Sequence, residues 1–133
     1  MKHVAYVLLP VSLAVLLSCG APVPSLTEEH RAAVSRELLA RKLGEPNSLT
    51  TRDAFIVADY ETTSLAVRLA GGAEAFGEAR LLAIREALLP FGYKDYRVNV
   101  NGPPPGTGLI QRYGSARFID AGGTVEWLPP PRP

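Results

Sequence analysis

A single cysteine, two histidines and one tryptophan in 133 residues leave this chain poor in the usual reactive and metal-binding side chains. One cysteine cannot close an internal disulfide. With two histidines it cannot build a zinc site from Cys and His alone. Neither sign of charge dominates, since 14 Lys and Arg stand against 13 Asp and Glu. The basic excess with which a non-specific nucleic-acid binder neutralises phosphates is therefore missing. Apolar length is short as well. The run from Val4 to Leu17 has 14 residues and is broken only by Pro10 and Ser12, whereas a helix that crosses a bilayer needs about 20. These shortages leave room for one small domain.

What is present begins at the N-terminus. Met1, Lys2 and His3 make a short basic start, the apolar run follows, and no acidic residue precedes Glu28. That is the n-region and h-region of an export signal. The run closes on Leu16, Leu17, Ser18, Cys19 and Gly20. This resembles the lipobox of bacterial lipoproteins, with an aliphatic residue three before the Cys and a small residue just before it. The resemblance implies cleavage between Ser18 and Cys19, lipidation of the Cys19 thiol, and acylation of the new amino terminus by a chain such as palmitate. One acyl chain holds a membrane only marginally, but three anchor it in effect permanently. Gly20, where Asp would retain an enteric-type lipoprotein at the inner membrane, implies the outer membrane, with the protein facing the periplasm.

Loss of residues 1–18 removes one Lys and leaves 13 basic against 13 acidic side chains. Residues 19–25, with Pro22 and Pro24, then form a lipid-anchored tether with a polyproline II tendency. Residues 26–128 are expected to form a single α/β domain, and 129–133 a Pro-rich tail.

Within the domain, Thr27 to Leu43 has helical spacing. Thr27 is a candidate N-cap, Glu28 and Glu29 lie in the first turn, and Arg41 and Lys42 lie in the last turn before Gly44. Leu26, Ala33, Val34, Leu38 and Leu39 mark its apolar side. Residues 50–61 suit either strand or helix. Thr50 as a cap and the spacing of Phe55, Ile56, Asp59 and Tyr60 favour a short helix. Leu65, Val67 and Leu69 alternate, which predicts a strand over 64–69 ended by Gly71 and Gly72. Ala73 to Leu89 reads as a helix, with Leu81, Ile84, Leu88 and Phe91 on one face and Pro90 and Gly92 as stops. Tyr96 to Val100 alternates again, and together with the preceding strand and helix it predicts a βαβ unit. Asn101 to Gly108 reads as a loop. Leu109 to Ile119 reads as a long antiparallel strand, and Thr124 to Leu128 as a short strand or anchor. The sum is an α+β sandwich whose small sheet has three to four strands, with helices on one face.

The sequence offers little for covalent chemistry. His30 is the one histidine after residue 18 and stands beside two Glu, as on a solvated helix face. Gly114, Ser115 and Ala116 lack the second Gly of a nucleophile elbow. Gly106, Thr107 and Gly108 lack the third Gly of a dinucleotide fingerprint. Asp53, Asp59 and Glu61 read as caps or solvated charges rather than an acid and base pair. No catalytic residue, metal ligand or cofactor site is assigned. Among the aromatics, Tyr96 reads as core. Tyr113 and Trp127 are the candidate partner-binding residues, because Tyr and Trp are enriched at interface hot spots.

Two resemblances follow. Leu49 and Thr50, a helix ending at Asp59 and Tyr60, a strand over Leu65 to Leu69, then Gly71 and Gly72 resemble the start of the CpaD-type pilus-biogenesis lipoproteins of the tight-adherence secretion apparatus. Ile84, Arg85, Ala87 and Leu88 before Gly92, the strand Tyr96 to Val100, and Arg112, Tyr113 and Ala116 continue the likeness. The chain departs from that family near its end, where Gly122 and Gly123 precede Trp127 and Pro129 without the family's Cys. This resemblance implies an envelope accessory protein that binds a secretin or pilus component; the empty set of catalytic arrangements and the balanced charge predict that it is not an enzyme and contacts no nucleic acid. The region around Arg80, Arg85 and Val98 is also similar to the OmpA-type peptidoglycan-binding domain, which ranks second. There Gly71, Gly72 and Ala73 replace the segment whose Asp holds a peptide amine. A small periplasm-facing enzyme is the third reading.

Overall fold

The computed structural model describes residues 26–52, 55–102, 111–120 and 122–130. The lipobox, Asp53 and the 106–108 glycines lie outside them.

The first helix, α1 (Glu28–Ala40), starts where Thr27 accepts a hydrogen bond from the His30 backbone at 3.2 Å. It stops earlier than its periodicity suggests. Lys42 takes a left-handed conformation with φ 59°, Lys42 N donates to Leu39 O, and Leu43 N donates to Leu38 O at 2.8 Å. That pair of bonds is the Schellman closure, normally made on Gly. Arg41 and Lys42 thus lie beyond the last turn. The buried face is His30, Val34 and Leu38, while Leu39 is 77% exposed. His30 is therefore not on a solvated face.

Residues 48–52 and 55–61 correct a second expectation. They form an antiparallel hairpin, β1 (Ser48–Arg52) and β2 (Phe55–Glu61), in which Thr50 is a strand residue opposite Val57. Ile56, Ala58 and Tyr60 point into the core and Phe55, Val57 and Asp59 point away. This period of two runs through β-branched residues that favour pleated backbone. The expected strand over 64–69 is instead a short helix, α2 (Ser64–Leu69). Thr63 caps it by accepting from Ala66 N at 3.1 Å, and only Val67 of its alternating residues is buried. Gly71 and Gly72, with φ 97° and 119°, turn the chain into α3 (Ala73–Leu88). A 3₁₀ turn, Leu89–Phe91, and Gly92 follow as the stop.

The last three strands are β3 (Asp95–Gly102), β4 (Gln111–Phe118) and β5 (Val125–Leu128). The sheet runs in chain order, β1 to β5, and has five strands rather than three to four. Only β2 and β3 are parallel, so the βαβ unit is present but opens with β2 and not with residues 64–69. Helix α3 packs on β3 and β4, and α1 packs on α3. Leu38, Leu81, Ile84 and Leu88 from the helices join Ile56, Val98, Val100 and Ala116 from the sheet in one core. Gly77 permits the close approach. A Cβ there would stand 3.1 Å from the Trp127 ring and 3.2 Å from Val100.

Candidate functional site

With the apolar side of each strand turned to the helices, the alternate residues line up on the other face of the sheet. Ser48, Asp59, Asn99, Ser115 and Leu128 stand opposite one another across all five strands. Four of them are joined side chain to side chain. Ser48 Oγ donates to Asp59 Oδ2 at 3.2 Å, Asn99 Nδ2 donates to Asp59 Oδ1 at 2.8 Å, and Ser115 Oγ donates to Asn99 Oδ1 at 2.6 Å. The arrangement has the outline of a serine, a relay and a carboxylate. A carboxamide nevertheless holds the middle place, and it cannot take the hydroxyl proton as a general base would. Its chemical effect is to fix four polar side chains in position.

A parallel row holds Thr50, Val57, Arg97, Arg117 and Glu126. Arg117 grips one Glu126 oxygen through Nε at 3.1 Å and Nη2 at 3.0 Å. Arg97 lies over the Phe55 ring at 5.7 Å, with its buried Nε unpartnered among the described residues. The third row is Glu61, Asn101 and Arg112. It borders an open cleft of about 490 Å³ lined by Asn47, Ser48, Asp59, Glu61, Asn101 and Arg112. Asn47 shapes one wall, since its Oδ1 accepts from Glu61 N and its own N donates to Asp59 O, both at 2.8 Å.

The residues singled out from sequence fall elsewhere. Trp127 pairs with Ala116 and lays its ring over Gly114 and against Gly77, so it is half-buried on the helix side. Tyr113 lies where the β3–β4 register shifts, with its ring against Gly102 and its hydroxyl 3.3 Å from Ser64 Oγ. Neither belongs to the three polar rows. His30 is 7% exposed, and its Nδ1 is 2.9 Å from the Tyr93 hydroxyl, with Phe91 stacked at 4.2 Å. Arg80 lies 3.4 Å over the Phe76 ring and donates to Phe76 O, and burial lowers its pKa. Asp59 and Glu61 share a strand face rather than a helical one.

Asn47, Ser48 and Asn99 have no assigned role in the sequence reading, Arg112 enters it only through the pilus-lipoprotein likeness, and Asn101, expected in a loop, is instead a residue of β3. The signal that could have found them is the polar half of each strand's alternation, Asp59 and Glu61 on one strand with Arg97, Asn99 and Asn101 on another. No group of three or more metal-ligating side chains occurs among the described residues, and no described helix is long and apolar enough to cross a membrane. The chain matches no family model, no curated protein and no solved structure.

Proposed function

We propose that this chain is an outer-membrane-anchored lipoprotein whose folded domain binds a protein partner as an accessory of an envelope assembly, of the kind that builds a pilus or a secretion channel. The observation that carries the reading is the sequence Leu16, Leu17, Ser18, Cys19 at the end of a 14-residue apolar run, a few residues before the capped start of α1. The likeness to CpaD-type proteins now rests on residues and the lipobox. Its element order is altered, because the hairpin and α2 exchange the expected helix and strand.

The polar face of the sheet suits a docking role. The side chains of its central row, Ser48, Asp59, Asn99 and Ser115, are held by one another before any partner arrives, which reduces the ordering cost of binding. The partly exposed edges of Tyr113 and Trp127 serve as additional contacts in this reading. The mature domain carries balanced charge and needs no cofactor for the role.

Replacing the attachment point tests the anchor. Cys19→Ser is expected to abolish incorporation of labelled palmitate and release the domain from membranes while its thermal melt stays unchanged. Palmitate missing from the wild type would sink the lipoprotein assignment. For the partner, crosslinking in envelope extracts is expected to recover a protein. Sedimentation with purified peptidoglycan in the absence of any protein partner would replace this reading with the cell-wall one.

A further inference from the structure

We propose that the cleft bordered by Glu61, Asn101 and Arg112 binds a zwitterion, a ligand carrying a primary ammonium and a carboxylate, of the amino-acid or short-peptide class. This goes beyond lipid anchoring and partner capture, and depends on neither, because every group it uses lies in the folded domain.

The contrast between neighbouring rows is the starting point. In the Ser48, Asp59, Asn99 and Ser115 row, hydrogen bonds run from strand to strand within the protein. One step along the strands, the Glu61 carboxylate and the Arg112 guanidinium have no ion-pair or hydrogen-bond partner among the described residues. Asn101 stands between them in the same cross-strand row. As a residue it is only 9% exposed, its side chain has no hydrogen-bond partner among the described residues, and it lines the cleft. Its carboxamide atoms are not among the fully buried unpartnered ones, which are Arg80 Nε and Arg97 Nε, so they open onto the cleft, where a group that enters can bond them.

The placement of charge identifies that entrant. Glu61 and Arg112 are two strand spacings apart, about 9.5 Å between their backbones. Long side chains on both flanks can close on a ligand lying across the row, whose charges must then be of opposite sign. At the β2 end the Asp59 carboxylate lines the same wall as Glu61, so that end favours an ammonium group. At the β4 end Arg112 offers a planar fork matched to a carboxylate. Asn101, between them, can both donate to and accept from a peptide group or the ligand's amine. A neutral sugar would leave both charges unanswered, and a simple anion or cation would answer only one.

Glycine and glycylglycine, titrated into the full chain in detergent micelles and followed through backbone amide resonances, provide the test. Saturable shifts are expected at Glu61, Asn101 and Arg112. A preference for glycine assigns free amino acids, and a preference for glycylglycine assigns peptides. N-acetylation or C-amidation of the preferred probe should each weaken binding about tenfold or more, as loss of a charge-assisted bond predicts. Arg112→Gln should reproduce the effect of amidation and Glu61→Gln that of acetylation. Arg117→Gln, two rows away, should change nothing, and thermal melts of all three variants should match the wild type. Absence of saturable shifts up to about 10 mM of either probe, or equal binding of the doubly blocked dipeptide, would overturn the proposal.

Discussion

Gly114 shows how much a single missing side chain decides. Its φ is 148°, and a Cβ added there would overlap the Trp127 ring and stand 2.6 Å from the Leu128 carbonyl oxygen. Gly77, on the facing helix, leaves 3.1 Å to the same ring. The indole therefore fits a slot floored by one glycine and walled by another, which joins β5 to α3. Gly114→Ala is expected to destabilise the domain by about 3 kcal/mol, since part of the clash is with backbone that cannot move aside. Gly77→Ala should cost only about 1 kcal/mol, because a gain in helix propensity offsets the tighter contact. Trp127→Ala should itself cost about 2–3 kcal/mol. Combined with Gly114→Ala, it should give less than the sum of the two, because removal of the ring relieves the ring part of the clash. Urea midpoints of the four variants check this. Additive effects would mean that the ring does not occupy the slot.

At the scale of elements, the outcome depended on whether a segment's spacing was sampled over enough residues. The helix over 73–88 was legible because Leu81, Ile84 and Leu88 recur at helical spacing over two turns and Pro90 and Gly92 mark its stop. The strand at 96–100 was legible from alternation, and the strand expected over 109–119 is present over Gln111–Phe118. The 50–61 hairpin was not, because Phe55, Ile56, Asp59 and Tyr60 satisfy a helical face while Ile56, Ala58 and Tyr60 satisfy a strand face. Tertiary burial chose the second. Residues 64–69 failed in reverse, since six alternating residues also make one and a half helical turns, and the deciding signal was the capping hydroxyl of Thr63. His30 was misplaced because its neighbours in sequence are charged, although its neighbours at helical spacing, Val34 and Leu38, are core. Of the candidate site, Asp59, Glu61, Ser115 and Arg112 are each named in the sequence reading but not as a group, since the pairing of strands that brings Asn101 and Arg112 beside Glu61 is a long-range event with no local trace.

The C-terminus of α1 supplies a test at the same scale. Lys42 carries the positive φ of a Schellman turn without being Gly or Asn. An L side chain in that region is strained by roughly 1–2 kcal/mol, while Gly is freer in the unfolded chain. Lys42→Gly is expected to stabilise the domain by about 0.5–1 kcal/mol and to raise the melting midpoint by a few degrees. Lys42→Val should move it the other way. Thermal melts of the two variants decide it, and a fall in midpoint for the Gly variant would contradict the left-handed assignment.

For the whole molecule, the division of the sheet into a covered and an open face sets both what the domain can bind and what limits its stability. The open face carries the polar rows, but the covered face draws two phenols into the core. Tyr60 donates to Gly44 O at 2.9 Å and Tyr96 donates to Tyr93 O at 2.8 Å. Burial pushes the Tyr96 phenol up to about 12, an effect partly opposed by Arg85, and raises Tyr60 in the same direction against the opposing field of Arg80. In the unfolded chain both titrate near 10. Above that value the unfolded state releases protons that the native state keeps, so the equilibrium shifts toward unfolding as pH rises. The contribution of these phenols is thus complete below pH 10 and declines from about 10 to 12. Denaturant midpoints measured across that interval are expected to fall with pH while the tyrosinate absorbance of these two phenols appears together with unfolding rather than before it. Tyr96→Phe should flatten part of the slope, although it loses one hydrogen bond and starts from a lower midpoint. If both native phenols ionised near pH 10 with the fold intact, the covered face would be open to water and the layered packing described for this domain would be wrong.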